Sequence, residues 1–311
     1  MLAPLIKRIQ QRFGTTLVGI VYYGSCLRAG TPYDGLVDFY VVIDSYRQAY
    51  REAHASILAA AANRLVPPNV YYLEADAPRP DAPDALLRCK YAVLSQASLQ
   101  NGVAHDFLSG LWGRFAQPVA IVHARDSQAR QRLQACCGQA VLTLLARTLP
   151  MLASPATPAQ AYERALALSY GSELRTEKTN RSQAVVSHDA QEYTRRLHAA
   201  APYLPFRVEP TDAGHDAGDE PADGRIYWLP KPAQRRRAAR AWRLRQPAGH
   251  ALSVLRLSKA CFTFGNAVDY GAWKIERHTG VHVDVTPRLR KHPLIYGWPV
   301  LWRLYRAGAL R

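Results

Sequence analysis

An acidic residue and a glycine-serine pair near the start of the chain have the types and spacing best suited to chemistry. Asp38 lies inside an otherwise apolar run, and Gly24 and Ser25 follow the apolar run before it. A buried carboxylate is costly unless something compensates its charge, and a metal ion does so efficiently. A Gly-Ser turn offers backbone N–H groups that can bind phosphate. Together these residues indicate metal-assisted chemistry on a phosphate group.

Two predicted strands must position these residues. Residues 17–23 and 36–43 are apolar and bounded by turn signals, so both are expected to be buried strands, joined by a turn-rich loop at 28–35. Strand, Gly-Ser, loop and acid-bearing strand is a layout typical of nucleotidyltransferases. Their usual motif has two alternating acids, whereas Tyr40 occupies the second position here. The alternative interpretation is a turn and a strand acid without chemistry.

The remaining pattern predicts an α+β fold, with a nucleotidyltransferase-like mixed sheet and helices, followed by a helical domain and a basic C-terminal region. A helix is expected at 46–64, strands at 70–74, 87–95 and within 112–124, and helices at 126–149 and 159–170. The expected domains are a nucleotidyltransferase core (1–125), a helical domain contributing to the active site (126–205), a flexible acidic-then-basic linker (206–250) and a basic, aromatic region (251–311).

Positive charge is concentrated near the C-terminus. The net charge is +16, and residues 225–311 hold 18 Lys and Arg against 3 acids, while residues 1–224 hold 22 against 21. A basic segment attracts phosphate, whether in nucleic acid, anionic lipid or a phosphorylated ligand. The longest apolar runs are shorter than the ~18–20 residues that span a bilayer. Residues 1–13 predict an amphipathic helix rather than a signal peptide, and five cysteines without metal-ligand spacing favour free thiols.

Short motifs between residues 17 and 200 carry a family resemblance. They are Tyr23-Gly24-Ser25, Val37-Asp38-Phe39, Lys90-Tyr91-Ala92-Val93, Gly113-Arg114 before Pro118-Val119, Ser169-Tyr170, Glu173-Leu174-Arg175, and Glu177 followed by Asn180-Arg181. In order and spacing the chain resembles the mitochondrial-type phosphatidate cytidylyltransferases, the peripheral CDP-diacylglycerol synthases. That family also has a single acid before Phe in the strand motif. Glu173 stands where the family usually has Asp, and Gln117 where it has Lys. The last hundred residues match poorly, so we expect a bacterial relative.

The resemblance implies transfer of CMP from CTP to phosphatidic acid or a related phosphorylated lipid, with Mg²⁺ as cofactor. Such a reaction needs charge neutralisation and positioning more than covalent chemistry. The expected catalytic residues are Asp38, Lys90 and Glu173. The expected metal ligands are Asp38 and Glu173, with Asp44 and Asp34 as weaker candidates. Gly24, Ser25 and Arg114 are expected to bind the nucleotide, and Arg175, Asn180 and Arg181 a phosphate of either substrate, including that of the lipid.

The C-terminal residues 293–311 suggest where the protein works. Trp298, Trp302 and Tyr305 alternate with aliphatic residues and arginines, a pattern typical of a helix at the bilayer interface. We therefore expect a cytoplasmic enzyme bound peripherally to the inner, anionic face of a membrane, with no nucleic-acid partner. Three alternatives stay open: the aromatics close a C-terminal core, the enzyme modifies a small molecule or RNA instead of lipid, or the chain is a non-catalytic relative.

Overall fold

The computed structural model describes residues 1–33, 35–52, 63, 67–78, 82, 85–173, 181–210, 224–263, 268, 272, 282–291 and 293–306. Seven strands are described: β1 Leu17–Tyr23, β2 Val37–Ile43, β3 Asn69–Asp76, β4 Leu86–Ser95, β5 Ala120–Ala124, β6 Arg207–Pro210 and β7 Ile226–Leu229. The α-helices are α1 Ala3–Phe13, α2 Ser25–Ala29, α3 Tyr46–Glu52, α4 Gln96–His105, α5 Trp112–Phe115, α6 Ser127–Thr148, α7 Pro158–Gly171, α8 Arg181–Ser187, α9 Ala190–Ala200, α10 Pro232–Thr263, α11 Pro287–Lys291 and α12 Pro293–Arg306.

A five-stranded mixed sheet in the order β3-β4-β2-β1-β5 forms the centre of the fold. The only parallel pair among these described strands is β2 with β4, and the other neighbours are antiparallel. A parallel pair needs a long crossover connection, which here includes α3 and β3. The predicted α+β class with a mixed sheet is therefore confirmed.

The central strands β1 and β2 are buried on both faces, and alternate residues belong to different cores. In β2, Phe39 and Val41 pack with α1 and α3, whereas Tyr40 and Val42 pack with the helices that follow the sheet. Because side chains alternate along a strand, Asp38 lies on the same face as Tyr40 and Val42. This alternation directs the acid towards the helical half of the molecule.

Helix ends in the second half of the chain follow local capping signals. The Asp126 side chain accepts a hydrogen bond from the Ala129 amide at 2.6 Å, where α6 begins. Thr157 and Gln160 form a capping box at α7, with Pro158 as its first residue. The predictions of helices at 126–149 and 159–170 are confirmed to within two residues.

The described residues of 206–250 differ from the flexible linker expected there. Residues 207–210 and 226–229 pair as β6 and β7, and residues 232–250 belong to the long helix α10. Trp242 is buried, donates a hydrogen bond from Nε1 to the Arg147 carbonyl at 2.9 Å, and contacts Trp112 edge to face. The dense arginines suggested a solvated segment, but one apolar face holds the helix on the core.

Other differences are local. The chain after Gly24 forms the short helix α2 before the loop, and α4 fills a stretch that carried no sequence prediction. The segment 112–124 divides into α5 and β5. The second half of the helix expected at 46–64 lies outside the described residues, apart from Asn63, and so does most of the acidic segment 209–224.

Replacing Trp242 with alanine tests whether α10 is part of the core. We expect a loss of about 3–5 kcal/mol in the free energy of unfolding, because a large buried side chain and its hydrogen bond disappear. Leu244→Ala on the same helix is the matched control, since Leu244 is 65% exposed, and should change stability by no more than about 0.5 kcal/mol. Urea denaturation measures both, and equal effects would mean that α10 is not docked.

Candidate functional site

The pairing of β2 with β4 sets Asp38 beside Lys90. The two residues are register partners in the parallel pair, and Asp38 is also the partner of Tyr23 in β1. Lys90 Nζ lies 3.0 Å from Asp38 Oδ1. That oxygen is buried and, within the described part of the chain, accepts no well-aligned hydrogen bond. Asp38 therefore has an ion-pair partner but retains acceptor capacity for another cation or donor.

The absence of a side chain at Gly24 leaves space for the Asp38 carboxylate. Gly24 has φ +92° and ψ −164°, a conformation that essentially only glycine adopts. A Cβ atom at this position would lie 2.3 Å from Asp38 Oδ2. The carboxylate thus lies directly against the backbone that leads into α2, and the glycine of the predicted Gly-Ser turn is required by both conformation and space.

A second ion pair joins α5 to the end of α7. Arg114 Nη2 donates to Glu173 Oε2 at 2.7 Å, and the side chains are only 30% and 15% exposed. Glu173 raises the pKa of Arg114 well above its usual value, although burial opposes that shift. Glu173 therefore holds a permanently charged Arg114 in place.

A cavity of about 230 Å³ lies between the sheet and the helices, with Lys90, Arg114 and Arg256 in its wall. The two ion pairs contribute one cation each, and Arg256 comes from α10. Tyr23, Tyr40, Val70 and Leu111 are among the other residues that line it. Three cations in one partly apolar cavity form an environment suited to a polyanion such as a triphosphate.

Tyr40 occupies the position where a second acid would stand in a two-acid motif. Its ring stacks on Tyr23 at 4.8 Å and contacts Phe115 at 4.9 Å. Burial raises the pKa of Tyr23 well above its usual value, and Tyr40 and Asp38 raise it further, while Arg114 lowers it. Tyr23 therefore stays protonated, and the stacked pair gives the cavity an aromatic wall beside the carboxylate.

Sequence reasoning missed Arg256. Its Nε donates to the Pro67 carbonyl at 2.9 Å, which anchors α10 to the segment before β3. Burial lowers the pKa of Arg256, and the positive charge of Arg114 adds to this effect. A signal was present: Trp242, Arg245, Gly249 and Arg256 are spaced so that they share one face of a helix.

Serine hydroxyl groups and close backbone contacts join the helices α5, α7 and α10. Ser109 Oγ donates to the Ser169 carbonyl at 3.1 Å and lies 2.6 Å from Ser172 Oγ. A Cβ at Gly113 would lie 2.1 Å from Ser169 Oγ, and one at Gly249 would lie 1.9 Å from the Ser172 carbonyl oxygen. α5, α7 and α10 therefore approach as closely as glycine allows.

The structure brings some of the predicted site residues together and separates others. Lys90 and Arg114 line the cavity, Asp38 and Glu173 are their ion-pair partners, and Gly24 lies against Asp38. Ser25 is the exposed first residue of α2, and Arg181 is the first residue of α8. Arg175, Asn180 and Asp34 lie outside the described residues.

Asp44 is separated from Asp38 by the length of β2, about 20 Å for an extended strand. Its carboxylate pairs with Arg125 at 2.5 Å on the surface. In the described part of the chain, no group of three or more His, Cys, Asp or Glu side chains could hold a metal ion. Mg²⁺ needs only one or two carboxylates when substrate phosphates complete its shell, and the buried oxygen of Asp38 fits that demand.

The helix α12 contains the predicted C-terminal aromatic pattern. Trp298 and Trp302 are 72% and 57% exposed, one turn apart, and Arg303 and Arg306 lie in the last turn. The side chain of Tyr305 lies outside the described residues. None of the described helices has the length and apolar content needed to cross a bilayer.

The chain matches no protein-family model and no curated protein. The resemblance to the phosphatidate cytidylyltransferases therefore stays a prediction from the motifs.

Gly24→Ala should destabilise the protein far more than Gly30→Ala. Both glycines have positive φ, but the space around Gly30 is open, whereas the new methyl group at 24 meets Asp38. We expect about 3–5 kcal/mol for Gly24→Ala, from backbone strain plus overpacking, and about 1–2 kcal/mol for Gly30→Ala. Urea denaturation measures the two costs.

Adding Asp38→Ala to Gly24→Ala should recover part of the loss, because the clashing oxygen is removed. Strict additivity in this double-mutant cycle would contradict the contact.

Proposed function

We propose that this protein is a nucleotidyltransferase that transfers CMP from CTP to phosphatidic acid. The observation that carries the proposal is the convergence of Lys90, Arg114 and Arg256 on one cavity beside the carboxylate of Asp38. The cations would bind phosphates, and the carboxylate would hold the divalent metal that accompanies a nucleoside triphosphate. Purely structural ion pairs would account for Lys90 with Asp38 and for Arg114 with Glu173, but not for the third cation, Arg256, at the same cavity.

In the proposed reaction an oxygen of the lipid phosphate attacks the α-phosphorus of CTP. A new P–O bond forms, the bond to the β-phosphate oxygen breaks, and pyrophosphate leaves with the electron pair. The chemistry requires two polyanions to meet, so charge neutralisation is the main demand on the protein. Lys90 supplies a compact charge, while Arg114 and Arg256 supply planar, multidentate donors.

Mg²⁺ would neutralise phosphate charge and orient the triphosphate. Asp38 is the best-placed ligand. Its buried Oδ1 accepts no well-aligned hydrogen bond among the described residues, and the side chain as a whole is still 15% exposed. Glu173 is engaged by Arg114 at 2.7 Å, which favours a positioning role for this acid over metal binding. Lys90 would exchange its contact with Asp38 for one with phosphate when the metal and nucleotide bind.

Two parts of the proposal come from different sources. The choice of CTP rests on the motif resemblance. The choice of a lipid acceptor rests on the resemblance together with α12, whose exposed tryptophans and terminal arginines match an interfacial helix. We accordingly propose peripheral binding to an anionic membrane on its cytoplasmic side.

The decisive assay incubates the full chain with Mg²⁺, each labelled nucleoside triphosphate in turn, and vesicles with or without phosphatidic acid. We expect pyrophosphate and a lipid-linked nucleotide with CTP and phosphatidic acid together. Pyrophosphate release with a non-lipid acceptor would support a different nucleotidyltransferase. No product, and no shift in melting temperature with any triphosphate, would reject the enzyme.

Asp38→Asn should lower turnover by at least about a hundredfold, because the variant keeps the shape of the side chain and loses the charge that would hold Mg²⁺. Asp44→Asn is the matched control, since Asp44 follows the same strand but pairs with Arg125 on the surface. Rates are measured at saturating CTP, with circular dichroism to verify folding. Comparable rates for the two variants would remove Asp38 from the site.

The double variant Trp298→Ala/Trp302→Ala should weaken binding to anionic vesicles by about tenfold or more, because two exposed aromatic anchors are lost. CTP binding should not change. Tyr203→Ala is the control, as Tyr203 is an aromatic side chain that is 75% exposed outside α12. Vesicle flotation at two salt concentrations provides the measurement, and undiminished flotation of the double variant would exclude α12 as the anchor.

A further inference from the structure

We propose that a second cavity, between α4, α6 and α10, is a separate binding site for a phosphomonoester. The cavity has a volume of about 490 Å³, and its wall contains Arg147, Arg237 and Arg245. None of the residues described in this wall is acidic. The inference is independent of the reaction proposed above, because neither Asp38 nor Lys90 is part of this cavity.

Arg245 is the central observation. The residue is only 3% exposed, yet its described surroundings offer no carboxylate within ion-pair distance and no hydrogen-bond partner for Nη1. Nε donates to the Phe107 carbonyl at 2.6 Å, and the guanidinium lies 4.3 Å from the ring centre of Trp242. Burial, and then the charge of Arg147, lower the pKa of Arg245 to about 10.

Aromatic faces and one carbonyl stabilise a buried guanidinium only in part. An incompletely compensated buried charge is expensive, so the fold has a reason to keep Arg245 there other than stability. An anion in the cavity would complete its compensation.

Arg147 and Arg237 add charge from two different helices. Arg147 donates from Nη2 to the Ala104 carbonyl at 3.0 Å and from Nη1 to the Asp106 carbonyl, so its guanidinium is fixed near the end of α4. Asp106 attracts Arg147 from beyond ion-pair distance, while Arg237 repels it. Arg237 is an exposed residue of α10 at the mouth of the site.

The arrangement favours a phosphate dianion. Three arginines exceed the charge that a single carboxylate could balance, and a guanidinium matches the oxygens of phosphate with paired donors. Phe107, Pro150 and Phe206 supply apolar wall around the charged group. A soluble sugar or glycerol phosphate and the headgroup of phosphatidic acid present the same chemistry to this site.

The site lies on the same face of α10 as the first cavity. Arg245 and Arg256 are eleven residues apart, close to three complete turns and about 16 Å along the helix. Gly249 lies between them and touches the Ser172 backbone, so the two cavities are separated by a packed contact.

The test measures binding of glycerol 3-phosphate to the full chain by isothermal titration calorimetry at ~0.15 M salt, where surface charges are screened. Arg237→Gln should weaken binding by about tenfold or more, through loss of one charge-assisted contact. Arg236→Gln, its exposed neighbour outside the cavity, is the matched control and should leave the affinity unchanged. Arg245→Met should abolish binding, and if that variant fails to fold, the comparison of Arg237→Gln with Arg236→Gln remains decisive.

A second arm uses vesicles with and without phosphatidic acid. Arg237-dependent binding of glycerol 3-phosphate identifies a soluble ligand, and Arg237-dependent binding of phosphatidic acid vesicles alone identifies a lipid headgroup. Lys90→Gln should leave the Arg237-dependent part of either interaction intact. Equal effects of Arg237→Gln and Arg236→Gln in both arms, or a loss of binding in Lys90→Gln alone, would overturn the proposal.

Discussion

The contact between the Asp38 carboxylate and the backbone at Gly24 is the constraint on which the first cavity depends. The strand β2 must pair in parallel with β4 to bring Lys90 alongside, and in antiparallel orientation with β1 to bring Gly24 alongside. A slip of one residue in either pairing would turn Asp38 towards the opposite core. Placement of the acid is thus inseparable from the register of three strands.

The protein compensates its buried charges in two different ways. Asp38 and Glu173 each take a cation as partner, whereas Arg245 relies on aromatic faces and a backbone carbonyl. A cation that is paired with a carboxylate can exchange that partner for an anionic ligand at modest cost in free energy, because one negative charge replaces another. A charge without an acidic partner gains from an incoming anion without giving anything up. The first cavity therefore contains two cations with acidic partners, Lys90 and Arg114, whereas Arg245 in the second has none in its described surroundings.

The sequence predicted the strands and helices that depend on local residue patterns. The features that it missed depend on how distant segments pack together. The apolar runs at 17–23 and 36–43 and the helix at 126–149 were correct because alternation and capping are local signals. Gly24, Asp38, Lys90, Arg114 and Glu173 were chosen from motifs. Lys90 and Arg114 line one cavity, Asp38 and Glu173 are their ion-pair partners, and Gly24 lies against Asp38. Arg256 was missed because the helical spacing that it shares with Trp242 and Gly249 indicates a common helix face, but not that this face reaches the sheet. The arginine-rich start of α10 resembled a linker because charge density hides the single face that carries Trp242 and Gly249.

Because α10 supplies Arg256, the first cavity is completed late during synthesis of the chain. A chain leaves the ribosome from its N-terminus, and domains can fold as they emerge. Asp38, Lys90 and Arg114 are all present once the first 125 residues have been made, so a nascent sheet could already present an acid and two cations to solvent. Arg256 arrives only after another 131 residues, and with it the last described cation of the wall. Until Arg256 has been made, the cavity lacks one of the three cations described in its wall.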